Sequence, residues 1–439
     1  MTSTIVQEER ATRLGMRASA ALGEQLADLP AVAKLRAEGA ALAAALSWPD
    51  GRRERPWKYL DVTKYDLEGL TPAIGAVTRD LVEVRRSCPV TGEQAALVVA
   101  QNSEIAIVEV SEAVGLSVAA FEGATGTAAA TIAKHLGSRV APERNRFTAL
   151  HYAFLRGGVL VEVAANTDVR LPVRIVRGFV SPDQFAAPHT LIVTGANSRV
   201  TVIEDFHSSD GELTVVPAIE IVPGPGAEVR YVAIHHWGEK TRVFLEQRTV
   251  TERDSAIIAA HIVAGGAVVK GHLESSLQGR GSSSELFSAA IGTDRQHSDF
   301  YTVQDHVAPD TRSDLLFKAA LSGKSKAVYY GLTRVGLGAK NADANQVNRT
   351  LLLSREAKAD SDPVLEILTS DVRRVSHGAA AGPVDQEQLY YLQTRAIPLK
   401  EAQALLVRAF LGQVIGRIPG EAVQDELTDV IEERMARLA

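Results

Sequence analysis

The segment GANSRVTV at residues 195–202 is a turn followed by alternating residues, and the same pattern recurs along the chain. Later copies are GPGAEVRY (224–231), ERDSAIIA (252–259), GRGSSSEL (279–286), APDTRSDL (308–315) and GAKNADANQ (from residue 338). Successive copies begin 29, 28, 27, 29 and 30 residues apart. Valine, isoleucine, threonine, glycine and serine dominate this region, and helical periodicity is almost absent from it. A near-constant period without a helix inside it predicts a β-solenoid.

Stacked units of this kind predict which side chains meet. Alternate residues of a strand face the interior, so Val200 would stack on Val229 and then on Ile257. A β-sandwich of short strands shows similar alternation and is the alternative, but it does not require a constant period. A solenoid also ends in a strand with unpaired backbone groups, and that edge must be capped or paired with another chain.

The segments before the repeats are predicted to be mostly helical. Residues 1–47 are rich in alanine, with a break at Pro30, and a second helical piece is predicted over about 127–156. Between them, AALVVAQNSEIAIVEV (95–110) alternates as short strands do. The sequence therefore predicts an N-terminal, mostly helical domain over 1–149 and a β-helix core over 150–372.

The residues after the core predict a C-terminal helical domain over 373–439. Asp385, with Gln388 three residues later, resembles a capping box, and Pro398 suits the first turn of another helix. An apolar stripe at helical spacing follows: Ala402, Leu405, Leu406, Ala409, Phe410 and Val414. The last helix is predicted to have one apolar face: Leu427, Val430, Ile431, Met435 and Leu438.

Composition excludes several classes of function. With 46% apolar and 23% charged residues the chain is a folded, soluble protein, and its net charge of −6 argues against a general nucleic-acid binder. The start is polar, and no apolar run approaches the roughly 18 residues of a membrane span, so we expect a cytoplasmic protein without membrane contact. The single cysteine, Cys88, cannot complete a Cys-ligated metal site or iron–sulfur cluster within one chain.

No nucleotide-binding or hydrolase motif occurs in the sequence. One segment, DRQHSDFYTVQDHVAPDTRSD, is dense in residues that can bind iron, manganese or zinc: Asp294, His297, Asp299, Asp305, His306, Asp310 and Asp314. Charged loops of a solenoid would give the same composition. The alternative function is therefore a β-solenoid enzyme, similar to a polysaccharide lyase or hydrolase, that uses acidic and histidine residues around 294–314.

His377 is the other candidate, in SDVRRVSHGAAAGPVDQEQLYYLQTR (370–395). An imidazole binds iron and transfers protons near neutral pH. The structural alternative is that His377 donates a hydrogen bond to a backbone carbonyl where the last strand gives way to a helix.

The C-terminal region resembles the SufB/SufD family of iron–sulfur cluster assembly proteins, and is most like SufD. The resemblance rests on QVNRTLLLSREAKADSDPVLEILTSDVRRVSHGAAAGPVDQEQLYYLQTRAIPLKEAQALLVRAF, on TVQDHVAPDTRSDLLFKAALSGKSKAVYYG before it, and on ERPWKYLDVTKY near the N-terminus. It is specific over about 297–412 and weaker over 150–296. It implies a right-handed parallel β-helix flanked by helical domains, in agreement with the period.

The resemblance also implies partners and a non-enzymatic role. Members work with a SufB-like scaffold, which joins at the end of the β-helix, and with a SufC-like ATPase, which binds the C-terminal helical domain; here Tyr390, Tyr391 and Arg395 would contact it. The scarcity of cysteine favours SufD over SufB. His377 matches the family histidine implicated in cluster formation, so iron or a cluster would bind transiently between subunits, and the isolated chain would hold no tight cofactor. A homodimer that joins through the same strand edge is the alternative assembly, because that edge would otherwise stay open.

Two positions depart from the family pattern. Val375 replaces a common cysteine, which removes a thiol beside His377. The usual Ser-Arg-Gly is Thr394-Arg395-Ala396, so alanine stands where the family pattern has the glycine of a turn.

Overall fold

The computed structural model describes residues 16–26, 28–67, 70–72, 93–111, 114–180 and 184–436. Its helices are α1 (Met16–Leu26), α2 (Pro30–Ala45), α3 (Gly126–His135), α4 (Arg146–Ala153), α5 (Gln386–Thr394), α6 (Leu399–Ile415) and α7 (Glu421–Met435). Short 3₁₀ turns span Arg55–Trp57, Val62–Lys64 and Pro142–Arg144. Cys88 lies outside the described residues.

Most strands belong to the region that carries the repeats. They are β1 (Thr71–Pro72), β2 (Ala96–Gln101), β3 (Glu104–Val110), β4 (Leu116–Ala120), β5 (Val159–Val163), β6 (Val173–Phe179), β7 (Gln184–Ala186), β8 (His189–Thr194), β9 (Arg199–Ser208), β10 (Leu213–Val215), β11 (Ala218–Val222), β12 (Glu228–His236), β13 (Thr241–Thr251), β14 (Ala256–Val263), β15 (Val268–Leu277), β16 (Ser283–Gly292), β17 (His297–His306), β18 (Arg312–Leu321), β19 (Lys326–Val335), β20 (Ala342–Leu352), β21 (Lys358–Ile367) and β22 (Val372–Pro383).

The strands form two sheets, and in the repeats the chain passes alternately from a strand of one sheet to a strand of the other. Sheet 1 has the order β21-β19-β17-β15-β13-β11-β8-β5-β4, and sheet 2 has the order β22-β20-β18-β16-β14-β12-β9-β6-β2-β3. From β5 and β6 onward, every pairing along these two paths is parallel. One strand from each sheet therefore makes one coil, and the predicted β-solenoid is confirmed against the sandwich.

The recurring turn has a physical basis in the backbone. The turns of the six repeats place a residue in the left-handed region at the same point of each coil: Asn197, Gly226, Asp254, Gly281, Asp310 and Asn341. Glycine, asparagine and aspartate tolerate this conformation best. Each of these residues also donates its backbone N–H to a carbonyl of the next coil, as from Asn197 to Pro225 at 2.9 Å. The period is therefore the spacing of these turns.

The interior follows the predicted alternation. Val200, Val229 and Ile257 are neighbours in sheet 2, and each is fully buried. At the first end of the solenoid, β4 pairs antiparallel with β5 and β3 pairs antiparallel with β2. These antiparallel strands cover the first parallel strand of each sheet.

The N-terminal helices pack on the outside of sheet 1 through an aromatic cluster. Phe147 of α4 stacks on Phe244 at 4.0 Å between ring centroids and on Trp57 at 5.3 Å. The predicted strands over 95–110 are confirmed as β2 and β3. The single helical piece predicted over 127–156 is instead two helices, α3 and α4, because a 3₁₀ turn at Pro142–Arg144 separates them.

The C-terminal helices pack on the outer face of sheet 2. The predicted face of α7 is confirmed for Leu427, Val430 and Ile431, which are buried, while Leu438 lies outside the described residues. The predicted stripe of α6 is partly wrong. Ala402 and Val414 are buried, but Leu405 and Ala409 are exposed, and Val407, Leu411 and Ile415 are buried instead, because these are the side chains that meet the solenoid and α7.

The secondary structure crosses both predicted domain limits. The last solenoid strand, β22, continues to Pro383, and the helices of the C-terminal part begin at Gln386 rather than near 373. Helix α4 likewise spans 149. A strand and its pairing partner share one ladder of hydrogen bonds, so residues 372–383 belong structurally with the solenoid.

Candidate functional site

The far end of the solenoid is a pair of open strand edges. Among the described residues, β21 pairs only with β19, and β22 pairs only with β20. Most side chains of β22 are exposed and those of β21 are half-buried, whereas the strands of the preceding coils are largely buried. The unpaired backbone groups of β21 and β22 are ready to accept strands of another chain.

His377 lies in the middle of β22. It is opposite Gln346, in a column that continues through Leu315 and Leu286, all of which face the solenoid interior. No coil follows, so the imidazole is exposed although it occupies an interior position. The structure gives its side chain no hydrogen-bond partner among the described residues, and helix α5 begins nine residues later. The alternative, a carbonyl contact at the strand-to-helix junction, is therefore not supported.

The surface around His377 has a polar base and an apolar opposite wall. The Gln346 amide beneath it donates to the Gly331 carbonyl at 3.1 Å and accepts from the Thr333 hydroxyl at 2.9 Å. In the edge strand β21, Pro363 is opposite Gly331 and Leu365 is opposite Thr333. Beside His377, Val375 packs with the buried Val335 and Ala342, so the position of the usual cysteine has become an apolar contact.

Chemically, this end face presents one imidazole that a partner chain can approach. In the parts of the chain that the structure describes, no group of three or more His, Cys, Asp or Glu side chains could hold a metal ion. A metal bound at His377 would therefore need its other ligands from a partner.

The outer face of β22 is bonded to the preceding strands. Arg374 pairs with Asp343 at 2.9 Å, and the Ser376 hydroxyl donates to the Asn345 side-chain oxygen at 2.9 Å. The Asn345 amide donates to Asp314 at 2.9 Å. Asp314 also accepts from Arg417, which follows α6, at 2.9 Å. The sequence analysis missed this series of hydrogen bonds, although its members in the solenoid, at positions 314, 345 and 376, are each one coil of 31 residues apart.

The N-terminal ERPWKYL segment also reaches this end of the molecule. Arg55, Lys58 and Tyr59 all contact the Asp362 carboxylate of edge strand β21, at 3.3, 3.4 and 3.1 Å. Sequence reasoning did not connect these positions, because more than 300 residues separate them. The contact places the N-terminal segment beside the open edge.

The seven acidic and histidine residues of 294–314 are not assembled into one site. Asp294 and Asp310 lie in the turns at opposite ends of β17, Asp299 pairs with Lys270 at 2.8 Å, and both nitrogens of the buried His306 bond hydroxyls. Asp314 belongs to the series of hydrogen bonds on the outer face that includes Asn345 and Arg417. Burial lowers the pKa of His297 to about 4 and that of His306 to about 4, so both imidazoles are neutral. The alternative site therefore receives no support from the geometry.

A second surface lies on the C-terminal helices. Tyr390 and Tyr391 of α5 are 70% and 57% exposed, and Leu399 and Leu405 of α6 are also exposed. The Arg395 guanidinium donates to the Tyr391 hydroxyl at 3.1 Å and lies 5.2 Å from the centroid of its ring. Exposed neighbouring aromatics with an arginine are typical of protein–protein contact surfaces.

The turn after α5 keeps the left-handed conformation without a glycine. Ala396 has φ = 61°, and Asp385 caps the other end of the helix as predicted, by accepting from the backbone of Glu387 and Gln388. The N–H of Ala396 bonds the Gln393 carbonyl, and the N–H of Ile397 bonds the Leu392 carbonyl. This is a Schellman motif, which normally has glycine at the residue with positive φ.

Replacing Ala396 by glycine should therefore stabilise the protein. A left-handed alanine costs about 1–2 kcal/mol, and the extra chain entropy of an unfolded glycine returns part of that, so we expect a net gain of about 1 kcal/mol. Urea unfolding measures the change. Thr394→Gly, at the last residue of the helix, is the matched control and should destabilise by about 0.5 kcal/mol, because glycine has the lower helix propensity and the bond from the Thr394 hydroxyl to the Tyr391 carbonyl is lost. An Ala396→Gly variant that is no more stable than the original chain would contradict the account.

Residues 179–410 match the family described as SUF system FeS cluster assembly, SufBD core domain. The chain belongs to this SufBD family. The matched residues run from the end of β6 into α6, and so contain the open edge, His377 and the exposed tyrosines.

Relatives of both subunit types match about two thirds of the chain. SufD of Bacillus subtilis is 30% identical over 296 residues, which are 67% of this chain and 68% of that protein. A SufBD family protein of Mycobacterium tuberculosis is 30% identical over 298 residues (66% and 74%). SufB of Bacillus subtilis is 26% identical over 292 residues (66% and 62%). No helix in the described ranges is long and apolar enough to span a bilayer.

Proposed function

We propose that this SufBD chain is a non-catalytic subunit of a cytoplasmic iron–sulfur cluster assembly complex. It pairs with a SufB-like scaffold through the open solenoid end and binds a SufC-like ATPase through its C-terminal helices. The observation that carries the proposal is the uncapped edge formed by β21 and β22. Two parallel sheets that end without a cap gain most from a partner that continues them. A second copy of the chain could occupy the same edge when the scaffold is absent.

At this junction His377 supplies one ligand to iron or to the forming cluster. Neutral imidazole is a good iron ligand, and an exposed position on the end coil lets it meet thiolates and carboxylates of the partner. Iron and the cluster are cargo in this scheme, held only in the complex, and the isolated chain binds no tight cofactor. Val375 contributes packing there and no thiol.

The ATPase contact uses Tyr390, Tyr391 and Arg395. These side chains are solvent-exposed in the isolated chain, and Arg395 braces the Tyr391 ring. Neither tyrosine belongs to β21 or β22, and in this proposal the two partners use different residues of the chain. The dispersed residues of 294–314 favour no enzymatic function.

His377→Ala should reduce cluster formation by the reconstituted complex at least about tenfold, because the junction loses a ligand that no neighbouring side chain replaces. The side chain is exposed and has no hydrogen-bond partner among the residues that the structure describes, so the free energy of unfolding should change by less than about 0.5 kcal/mol. Cluster formation is followed by the visible absorbance of the complex after addition of iron and sulfide.

The control is His135→Ala, which removes a partly exposed histidine of α3, at the first end of the solenoid. That variant should form clusters at the original rate. Unchanged cluster formation in His377→Ala, with the complex still assembled on size-exclusion chromatography, would refute the ligand role of His377. Failure of the chain to join a SufB-like scaffold would refute the pairing itself.

A further inference from the structure

Strand β22 contains one extra residue, four positions before His377. Ala342 of β20 lies opposite Val372, but the next residue, Asp343, lies opposite Arg374, so Arg373 has no partner in the ladder. This is a β-bulge, in which two residues of one strand oppose one residue of the other.

The bulge decides which face His377 occupies. Successive side chains of a strand point to opposite faces, so a shift of one residue moves every later side chain to the other face. With the bulge, His377 is opposite Gln346 and faces the interior. Without it, His377 would be opposite Val347, on the outer face where α6 and α7 pack.

At Arg373 and Arg374 the sequence is compatible with either register of β22. Arg373 and Arg374 are adjacent, and either cation could pair with Asp343. In the bulged register Arg374 forms this pair on the outer face, 60% exposed. In the other register Arg374 would be opposite Ala344, in the place that Val375 fills by packing against Val335 and Ala342. A charged guanidinium does not replace that apolar contact favourably.

Two further contacts hold the observed register. Val375 packs inward against Val335 and Ala342, and the Ser376 hydroxyl bonds Asn345 on the outer face. Asn345 is in turn bonded to Asp314, which accepts from Arg417 after α6. The position of β22 is thereby tied to the C-terminal helices.

We propose that Arg374 and Ser376 are positioning residues which lock β22 in its bulged register and so keep His377 on the interior face of the end coil. The inference deepens the proposed function, since it rests on His377 acting at the subunit junction. It assigns these two residues a role that acts through His377, without contact to the cargo.

Disulfide trapping in the full-length chain measures the register directly. Cys88 is first replaced by serine. Val347→Cys with Gly378→Cys joins partners of the bulged register, and Val347→Cys with His377→Cys joins partners of the shifted register. Neighbouring strands lie about 4.8 Å apart, which suits a disulfide between directly opposite residues.

In the otherwise unaltered chain the 347–378 pair should cross-link at least about tenfold faster than the 347–377 pair. Exchanging the two side chains (Arg374→Val with Val375→Arg) should invert this preference, because the apolar side chain then faces inward only in the shifted register. Arg374→Ala with Ser376→Ala removes the lock more mildly and should raise the yield of the 347–377 pair. Arg373→Ala is the control and should preserve the original preference.

Cross-linking that is unchanged in both the exchange variant and the double alanine variant would overturn the proposal. Cluster formation is then measured in complexes that contain the exchange variant or the double alanine variant, with His377 kept and without the added cysteines. This second measurement distinguishes failure of the register lock from failure of the proposed function. If the cross-linking preference inverts and cluster formation falls as in His377→Ala, both stand. If it inverts while cluster formation is unchanged, the lock stands and the ligand role of His377 is lost.

Discussion

Lowering the pH from 7 to 5 should reduce the free energy of unfolding of this SufBD chain by several kcal/mol. The reason is a set of histidines that are buried in the neutral form. His261 and His306 are fully buried, and burial lowers the pKa of His261 to about 3 and that of His306 to about 4, from an ordinary value of 6.5. Unfolding releases them to bind protons at their ordinary pKa.

Local bonding explains why His261 resists protonation. The Trp237 indole N–H donates to Nδ1 of His235 at 3.0 Å, so His235 must carry its proton on Nε2, which donates to Nδ1 of His261 at 3.1 Å. His261 then donates from Nε2 to Gln247 at 3.0 Å. The indole can only donate, and it therefore fixes both tautomers. A second proton on His261 would face the N–H of His235.

The sign follows from the lowered pKa. Each histidine contributes its full stabilisation above pH 6.5, and this is lost as the pH falls toward the folded pKa, between about 6.5 and 3 for His261 and between about 6.5 and 4 for His306. At about 1.4 kcal/mol per pH unit, each costs about 2 kcal/mol at pH 5. Burial also lowers the pKa of His207 to about 3 and that of His297 to about 4, and both add in the same direction.

Urea unfolding at half-unit steps from pH 7.5 to 5 measures the dependence. His261→Gln removes one titrating group while leaving a polar side chain between His235 and Gln247, and should flatten the slope below pH 6.5 by about 1.4 kcal/mol per unit. The variant is less stable at pH 7, so the slope is the quantity to compare. A free energy of unfolding that is constant between pH 7 and 5 would rule out the neutral buried histidines.

The solenoid could be predicted from sequence because its turns are chemically restricted. A left-handed residue is needed once per coil, and Asn197, Gly226 and Asp254 satisfy this need with residue types that stand out in the sequence. His377 could be singled out by motif and resemblance. Its location in the interior column of the open end coil could not be predicted from the sequence. That location depends on one bulged residue, Arg373, which changes the local spacing no more than the ordinary variation in coil length does.

The faces of the C-terminal helices were harder to predict for a related reason. Helix α6 is apolar on more than one side, so periodicity alone allowed Leu405 and Ala409 to be buried in place of Val407 and Leu411. The choice is made by packing against sheet 2 and α7, which the local sequence does not encode. The consequence is that Leu399 and Leu405 are left exposed on α6, which follows the helix that carries the exposed tyrosines.

Replacing Tyr390 and Tyr391 together by alanine should weaken binding to a SufC-like ATPase by about 30-fold or more. An aromatic hot spot at the centre of an interface costs about 2 kcal/mol or more when it is truncated, and one such hot spot among the two rings already corresponds to about 30-fold. Both rings are more than half exposed, so their removal leaves no cavity in the isolated chain. The loss should therefore appear in the dissociation constant and not in the free energy of unfolding.

Calorimetric titration of the full chain with the ATPase tests this, with Glu433→Ala on the exposed side of α7 as the control that should bind normally. Arg395→Lys should have an intermediate effect, because a lysine keeps the charge but loses the planar contact with the Tyr391 ring. Equal affinity of the double variant and the original chain would exclude this surface. Normal joining to the scaffold by the same variant is expected, since β21 and β22 contain neither tyrosine, and a simultaneous loss of both partners would mean that the two surfaces are not independent.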